Sequence, residues 1–422
     1  MNLPQDFIDY TKSLFGDELF NKYLSAFDEP APTSIRINPF KLHDGIDTDT
    51  CSLIDKPVPW CEYGYYLTER PDFTFDPLFH AGVYYVQEAS SMFLTQAIKQ
   101  YIREDVQMLD LCAAPGGKST VARSFITPDS LLICNEPIHN RANILTENII
   151  KFGAKNTFVT NNYPRDFKKN KLCFDVVLAD VPCSGEGMFR KDEGAIKEWS
   201  QQNVRKCSML QREIISDIWD CLVPGGLLIY STCTFNTLEN EENVEWICEK
   251  FGAELLPVAT QPSWNITGSL LKGFNGPVYR FIPGLTKGEG LFFSIIRKNG
   301  DDDKVQNYCL KSLTSKLTTS NLHFMTAECP NNSTSNISDA LAADIDLGKY
   351  TAVDVDYSQA IQYLRREAIK LTADTPKGIV LITYKHFPLG LAKNIGNRAN
   401  NLYPKEWAIR STHIPTTPIL PL

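Results

Sequence analysis

Phe7, Tyr10, Leu14, Leu19, Phe20, Tyr23 and Leu24 recur at helical spacing, which predicts an amphipathic helix over the first 30 or so residues. From Ala31 the pattern turns Pro-rich and strand-like, through Thr33 to Asn38 and again from Trp60 to Leu67. These stretches predict a small α+β lobe ending near Phe79. A short strand at Tyr84 then leads into a helix reaching Tyr101. Beyond it, apolar runs alternate with amphipathic ones. Strands are predicted at 107–111, 131–135, 156–160, 174–179, 226–231 and 290–297. Helices are predicted from Gly117 and over 138–152, 203–221 and 238–251. That alternation is the signature of a doubly wound α/β sheet. Residues 299–345 are polar and irregular, with Asp301 to Asp303 and Asn331 to Asn336 marking a linker with partial structure. A helix from Tyr357 and a strand from Gly378 to Tyr384 open a last α+β domain. The expected division is therefore 1–80, 81–298, a linker over 299–345, and 346–422.

In open α/β sheets ligands bind beyond the carboxyl ends of the strands. Four informative stretches fall there: Asp110 to Lys118, Asn135-Glu136-Pro137, Asp180 to Gly185, and Ser231 to Thr234. The first reads strand, tight turn, helix start, with Cys112, Ala113, Ala114, Pro115, Gly116, Gly117 and Lys118 forming the turn. Small residues let backbone approach a ligand closely, and a helix start offers free N–H groups. A P-loop needs Gly where Cys112 stands, and Pro115 interrupts its cradle. The G-x-G-x-x-G spacing of dinucleotide folds is absent. What remains is a loop for an adenosyl ligand with an amino-acid end, S-adenosylmethionine, or an ordinary turn between strand and helix. Glu136 suits a carboxylate holding ribose hydroxyls, or simply an acid at a helix start.

Composition narrows the class. The chain has 422 residues, 43% hydrophobic and 22% charged, values of a globular protein of two or three domains. No apolar run approaches a membrane span, and the first residues lack a signal pattern, so a cytoplasmic protein is expected. The twelve cysteines include no C-x-x-C and the six histidines are scattered, so no metal site is expected. Cys134, Cys173, Cys221 and Cys248 lie in apolar patterns and read as small core residues. The net charge of −8 argues weakly against nucleic acid, but phosphate binding needs local cations only. From Pro376 onward Lys377, Lys385, Lys393, Arg398, Lys405 and Arg410 face Glu406 alone, with Tyr384, Phe387, Tyr403 and Trp407 interleaved. That mixture suits single-stranded RNA, or a solvated face around an aromatic core.

Cys183 and Cys233 each close an apolar strand at the same sheet edge, beside Asp180. Carbon 5 of a pyrimidine is a poor nucleophile. A thiolate adding to carbon 6 makes the ring an enamine, whose carbon 5 can attack a methyl sulfonium. A base then removes the carbon 5 proton and the thiolate leaves. The nucleophilic thiol must be activated, since a free thiol has a pKa of ~8.5.

With these residues in hand, the chain resembles the RNA cytosine-5 methyltransferases of the Sun (Fmu) family. The matching stretches are Leu109 to Lys118, Ala179 to Asp192, Tyr230 to Thr234 and Gly288 to Phe293. The N-terminal lobe and the run from Ile361 through Leu389-Gly390 to Lys405 resemble those of bacterial RsmF-type enzymes. The resemblance implies a Rossmann-like methyltransferase sheet flanked by an N-terminal RNA-binding lobe and a C-terminal PUA-like domain. It makes Cys233 the nucleophile and Cys183 the group that assists proton removal and release. Asp180 would hold the cytosine near the cofactor, and Cys112 to Lys118 with Glu136 would bind S-adenosylmethionine; Lys118 belongs to both sets. The helix carrying Arg190, Lys191 and Lys197 would meet RNA phosphates, with a solvated helix face as the alternative for Lys197. The implied substrate is ribosomal RNA, 16S above all, free or in a small-subunit particle; nothing in the sequence suggests an obligate oligomer, so a monomer is expected. One departure stands out: Tyr163 occupies the place of an acid near the adenine, with Asn162 or Asp166 as substitutes. Two alternatives are weighed. A DNA cytosine-5 enzyme would use Cys183 with Glu242 of Glu242-Asn243-Val244. It leaves Cys233 idle and draws Glu242 from an acidic run, Glu239 to Glu242, expected on an exposed helix. A non-catalytic RNA-binding assembly factor would not need both cysteines and Asp180.

Overall fold

Alternating burial sets the architecture. In the computed structural model, which describes residues 3–42, 51–300, 317, 320–326, 336–411, 414–415 and 417–418, the strands form three sheets. The first comprises β1 (Ser34–Ile37), β2 (Ile54–Pro57), β3 (Gly64–Leu67) and β4 (Tyr84–Val86), antiparallel in the order β2-β3-β1-β4. It takes in β4, beyond the lobe boundary expected at residue 80. The helix Gln5–Ser25 breaks at Gly16, whose φ of 71° is open to glycine at little cost. Its Phe7, Phe15 and Tyr23 pack on Phe189, Trp199 and Phe235 of the central domain.

The central sheet comprises β5 (Gln107–Asp110), β6 (Leu131–Asn135), β7 (Thr157–Thr160), β8 (Phe174–Asp180), β9 (Leu222–Thr232), β10 (Glu254–Leu256), β11 (Tyr279–Phe281) and β12 (Leu291–Arg297). Its order is β10-β12-β9-β8-β5-β6-β7, with β11 on β12. Strands β5 to β9 are parallel, and β12 is antiparallel to its neighbours. Successive side chains point to opposite faces. Met108, Leu132, Val176 and Ile229 enter the core on one face, and Leu109, Ile133, Val177 and Leu228 that on the other. Burial on both faces is why these strands read as unbroken apolar runs. From β5 the chain builds outward to β7 and returns to β8, so the strand order reverses between β5 and β8. That reversal opens a crevice at their carboxyl ends.

The last sheet comprises β13 (Thr351–Asp354), β14 (Gly378–Tyr384), β15 (Phe387–Asn394) and β16 (Ala399–Asn401), in that order. It shares one core with the N-terminal lobe, where Ile35, Leu78 and Tyr84 meet Tyr363, Ile382 and Tyr403. Tyr384, Phe387 and Tyr403 are thereby buried, and their rings are not open to nucleotide bases. The aromatic part of the mixture is core, while Lys377, Lys393, Arg398, Lys405 and Arg410 stay exposed. The expected linker also contributes structure. Leu317 and Leu322 enter the central core, Phe324 bridges Thr160 of β7, and Asn336–Leu341 is a helix. Asp301 to Asp303 and Asn331 to Ser335 lie outside the described residues. No described helix is long and apolar enough to cross a membrane.

Candidate active site

The four stretches singled out in the sequence meet at the crevice. β5 delivers Asp110, fully buried at its end, and the loop to Gly116 turns into the helix Gly117–Phe125. Gly116 has a φ of 114°, and a Cβ there would sit 3.2 Å from Leu145, so the turn requires glycine. The loop is tied down from outside. Asn148 and Tyr85 donate to the carbonyl of Pro115 at 2.8 and 3.2 Å, and Arg141 donates to that of Ala114 at 3.0 Å. Ala113 and Ala114 line the turn and are buried, with Cys112 half-buried beside them. Burial, reinforced by Asp110 and Glu136, raises the Cys112 pKa, which keeps that thiol neutral.

Two carboxylates face this loop with oxygens to spare. Asp110 Oδ2 accepts from Ser119 Oγ at 2.6 Å, while its Oδ1 is buried without a partner. Burial pushes its pKa up to about 7, and Asp180 adds to the rise. Glu136, just past β6, accepts from the Ile138 amide through Oε1 at 2.9 Å. Its Oε2 lies 3.2 Å from the Arg141 guanidinium but outside hydrogen-bond geometry, and so is also unpartnered. Buried oxygens of this kind are costly unless a ligand donates to them. S-adenosylmethionine, with ribose hydroxyls and an ammonium group, offers such donors.

Across the crevice, Asp180 at the end of β8 pairs with Lys118 Nζ at 2.8 Å and accepts from Ser231 Oγ at 2.7 Å. Burial works against the Lys118 charge, but the Asp180 carboxylate outweighs it and the lysine pKa is raised. Cys183 and Cys233 have their sulfurs 3.0 Å apart, two free thiols in contact. The hydrogen bond with Cys233, and then burial, raise the pKa of Cys183, so Cys183 holds its proton as long as the Cys233 thiol is free beside it. The backbone N–H of Cys233 also points at the Cys183 sulfur, at 3.4 Å.

The framework behind the thiols was not legible in the sequence. Glu186 accepts from the amides of Phe235 and Asn236, from the Asn236 side chain and from Trp199. Glu239 accepts from the Ser184 amide and hydroxyl, Gln211 and Asn236. Together they clamp the two cysteine loops to one another. Gly187 donates to the Cys233 carbonyl at 2.7 Å, and a Cβ at Gly187 would lie 2.8 Å from that oxygen. Thr232 and Thr234, flanking Cys233, both bond to Asn240. Glu241 pairs bidentately with Arg280 at 2.7 and 2.9 Å, both side chains fully buried. The acidic run is therefore internal at Glu239 and Glu241, not an exposed helix face. An i, i+3, i+4 count would not have found this, because these acids precede or open the helix Glu241–Phe251. The one available signal was that Glu186 and Gly187 sit inside the Ala179 to Asp192 stretch.

Other expectations are corrected. Arg190 precedes the helix Glu193–Glu198 and is spent on buried Glu289 at 2.8 Å, so it is no phosphate ligand; Lys191 and Lys197 are exposed. Glu242 accepts from Thr237 Oγ1 at 2.8 Å. Near the expected adenine side, Asn162 is engaged with the backbone of His323, and Asp166 caps the helix Pro164–Lys169. Tyr163 itself is exposed. Among the described residues no group of three or more His, Cys, Asp or Glu could hold a metal.

With this geometry in place, similarity to known proteins is informative. Residues 98–297 match a family profile described as 16S rRNA methyltransferase RsmB/F. Residues 3–89 match the N-terminal domain of 16S rRNA methyltransferase RsmF, and 350–409 match the methyltransferase RsmF PUA domain. The ribosomal RNA small subunit methyltransferase F of Citrobacter koseri is 30% identical, and that of Escherichia coli 29%, each alignment covering 92% of both chains. Among solved structures, a methyltransferase homolog from Pyrococcus horikoshii is 25% identical with a TM-score of 0.57, over 70% of this chain and all of that one. NSun6 from Pyrococcus horikoshii, crystallised with SFG, is similar in fold at 21% identity and TM-score 0.57, covering 71% of this chain and 99% of that one.

Proposed function

Since the chain belongs to the RsmF branch of the RsmB/F family of S-adenosylmethionine-dependent rRNA methyltransferases, we propose that it methylates carbon 5 of a cytosine in 16S ribosomal RNA, in the cytoplasm, through a covalent adduct to Cys233. The observation that carries this reading is the pair of free thiols in contact beside the Lys118–Asp180 ion pair. S-adenosylmethionine supplies an electrophilic methyl group when bound. Glu136 would hold its ribose, and Asp110 with the loop from Cys112 through Ala113, Ala114, Pro115, Gly116 and Gly117 to Lys118 its amino-acid end. Asp180 holds the polar edge of the cytosine, and Lys118 stabilises the negative charge that addition places on the ring. Cys233 adds to carbon 6 as thiolate, and carbon 5 becomes nucleophilic. Once carbon 5 is methylated, its proton must leave before the Cys233–carbon 6 bond can break. Cys183, the titratable group touching Cys233, removes that proton as thiolate and restores Cys233 as thiolate. A thiol whose pKa is raised is a strong base once ionised, and its ionised fraction grows with pH.

The alternative with Cys183 as nucleophile requires Glu242 at the base, and Glu242 is engaged by Thr237 instead. The test is adduct trapping on denaturing gels with S-adenosylmethionine and ribosomal RNA. Cys183→Ala should accumulate a protein–RNA adduct that disappears when Cys233 is also replaced. An adduct that depends on Cys183 would reverse the two roles.

A further inference from the structure

Two cavities of about 520 and 440 Å³ lie side by side where the N-terminal lobe meets the central domain. Both are lined by Ala31, Pro32, Thr33 and Arg70, so they form one groove. One end reaches the site described above. Gln87 lines it, and the Gln87 amide nitrogen is 3.6 Å from where a Cβ on Gly117 would sit, next to Lys118. Arg36, fully buried, fixes that amide by donating to its oxygen at 3.0 Å. Lys191 lines the same end, a few residues past Gly187, which holds the Cys233 carbonyl. At the far end the Arg190 guanidinium donates to the carbonyls of Glu29 and Pro30, which keeps the wall in place.

The charges along the groove are informative. Arg190 and Lys287 are paired, with Glu289 and Asp55. Arg70 and Lys191 are exposed and make no ion pair among the described residues, Arg70 resting on the ring of Phe73. Among the acids, Glu88 is occupied by the amides of Ser90, Ser91 and Glu289, while Glu29 and Glu69 stand on the walls. Such a groove does not attract a polyanion by its field. It offers two discrete cations along an open channel whose one end abuts the loop at Gly117. A single-stranded nucleic acid, with one negative charge per nucleotide, matches that layout.

We propose that this groove carries the RNA strand on one side of the target cytosine, with Arg70 and Lys191 each holding a backbone phosphate. The proposal rests on the reading that the chain methylates a cytosine in RNA. It also explains how a protein of net charge −8 binds RNA, since the cations needed are local. The test uses the full chain, its Arg70→Glu, Lys191→Glu and double variants, and Lys250→Glu as a charge control outside the groove. RNA affinity is measured by filter binding on a 16S ribosomal RNA fragment over a range of salt, S-adenosylmethionine affinity by calorimetry, and 5-methylcytosine by sequencing. Each groove substitution should weaken RNA binding about ten-fold or more and flatten the log–log salt dependence by ~0.7 for the lost phosphate contact. Cofactor affinity should stay at the wild-type value, which also reports an intact fold, and Lys250→Glu should bind as wild type. A double variant with wild-type affinity and salt slope overturns the groove. Weakened binding in the variants of a wild type that makes no 5-methylcytosine upholds the groove and overturns the cytosine reading.

Discussion

Two sets of buried acids flank the same crevice and do opposite work. On the thiol side, Glu186, Glu239 and Glu241 have both oxygens engaged by donors from this chain. On the cofactor side, Asp110 and Glu136 each keep one oxygen without a hydrogen bond, that of Glu136 having only the ion pair with the half-exposed Arg141. Burial is alike in the two sets; satisfaction is not. A saturated carboxylate cross-links the loops around it and has nothing left for a ligand. An unsaturated one costs the apo protein stability that a ligand's donors return.

The sharpest way to break this contrast is to remove one partner on the saturated side. Arg280→Met should leave Glu241 buried and unpaired, costing ~3–5 kcal/mol of stability, read as a lowered urea midpoint. A midpoint near wild type would mean the pair does not hold the loop. On the other side Glu136→Gln should do the reverse. Cofactor affinity should fall about ten- to a hundred-fold, as expected for losing a charged hydrogen bond of ~1.5–3 kcal/mol, with the urea midpoint almost unmoved. Equal losses of stability and affinity in both variants would erase the distinction.

Titration gives a smaller effect that sharpens it. The Asp110 pKa is raised to about 7 and that of Glu239 likewise, in both cases first by burial. A folded-state pKa above the unfolded value means the folded protein binds the proton more tightly. These two groups therefore favour the folded state at pH values below their unfolded pKa, and that contribution is lost as pH rises through about 7. Asp110 has a second consequence. Its oxygen carries the negative charge that strengthens a hydrogen bond from the ligand's ammonium only when ionised, so S-adenosylmethionine affinity should weaken as pH falls below about 7. Asp110→Asn should abolish that dependence in calorimetry. Glu239→Gln should leave it intact while flattening the stability–pH curve. The reverse assignment would place Asp110 in the framework.

Much of this molecule was legible along the chain. The strands β5, β6, β8 and β9 are apolar on both faces, so their runs are unbroken, and the polar residues that end them mark the crevice. Cys112 to Lys118, Glu136, Asp180, Cys183 and Cys233 were found that way, and the structure brings them together. The same argument failed for Glu239 and Glu241. Acids are assigned to water unless a partner is known, and their partners Gln211 and Arg280 are distant in sequence. It failed for Arg190, whose charge looked available because Glu289 could not be placed beside it. It left Tyr384, Phe387 and Tyr403 open between RNA stacking and core, because the first and last sheets pack on one another and nothing local says so.

The sequence by itself determined the elements, the sheet edge and the candidate groups that meet there, because periodicity and strand ends are local properties. Tertiary structure alone decided which charged groups remain free to act. An ionised side chain is available only if no distant residue has already satisfied it, and that pairing is fixed when the chain closes on itself.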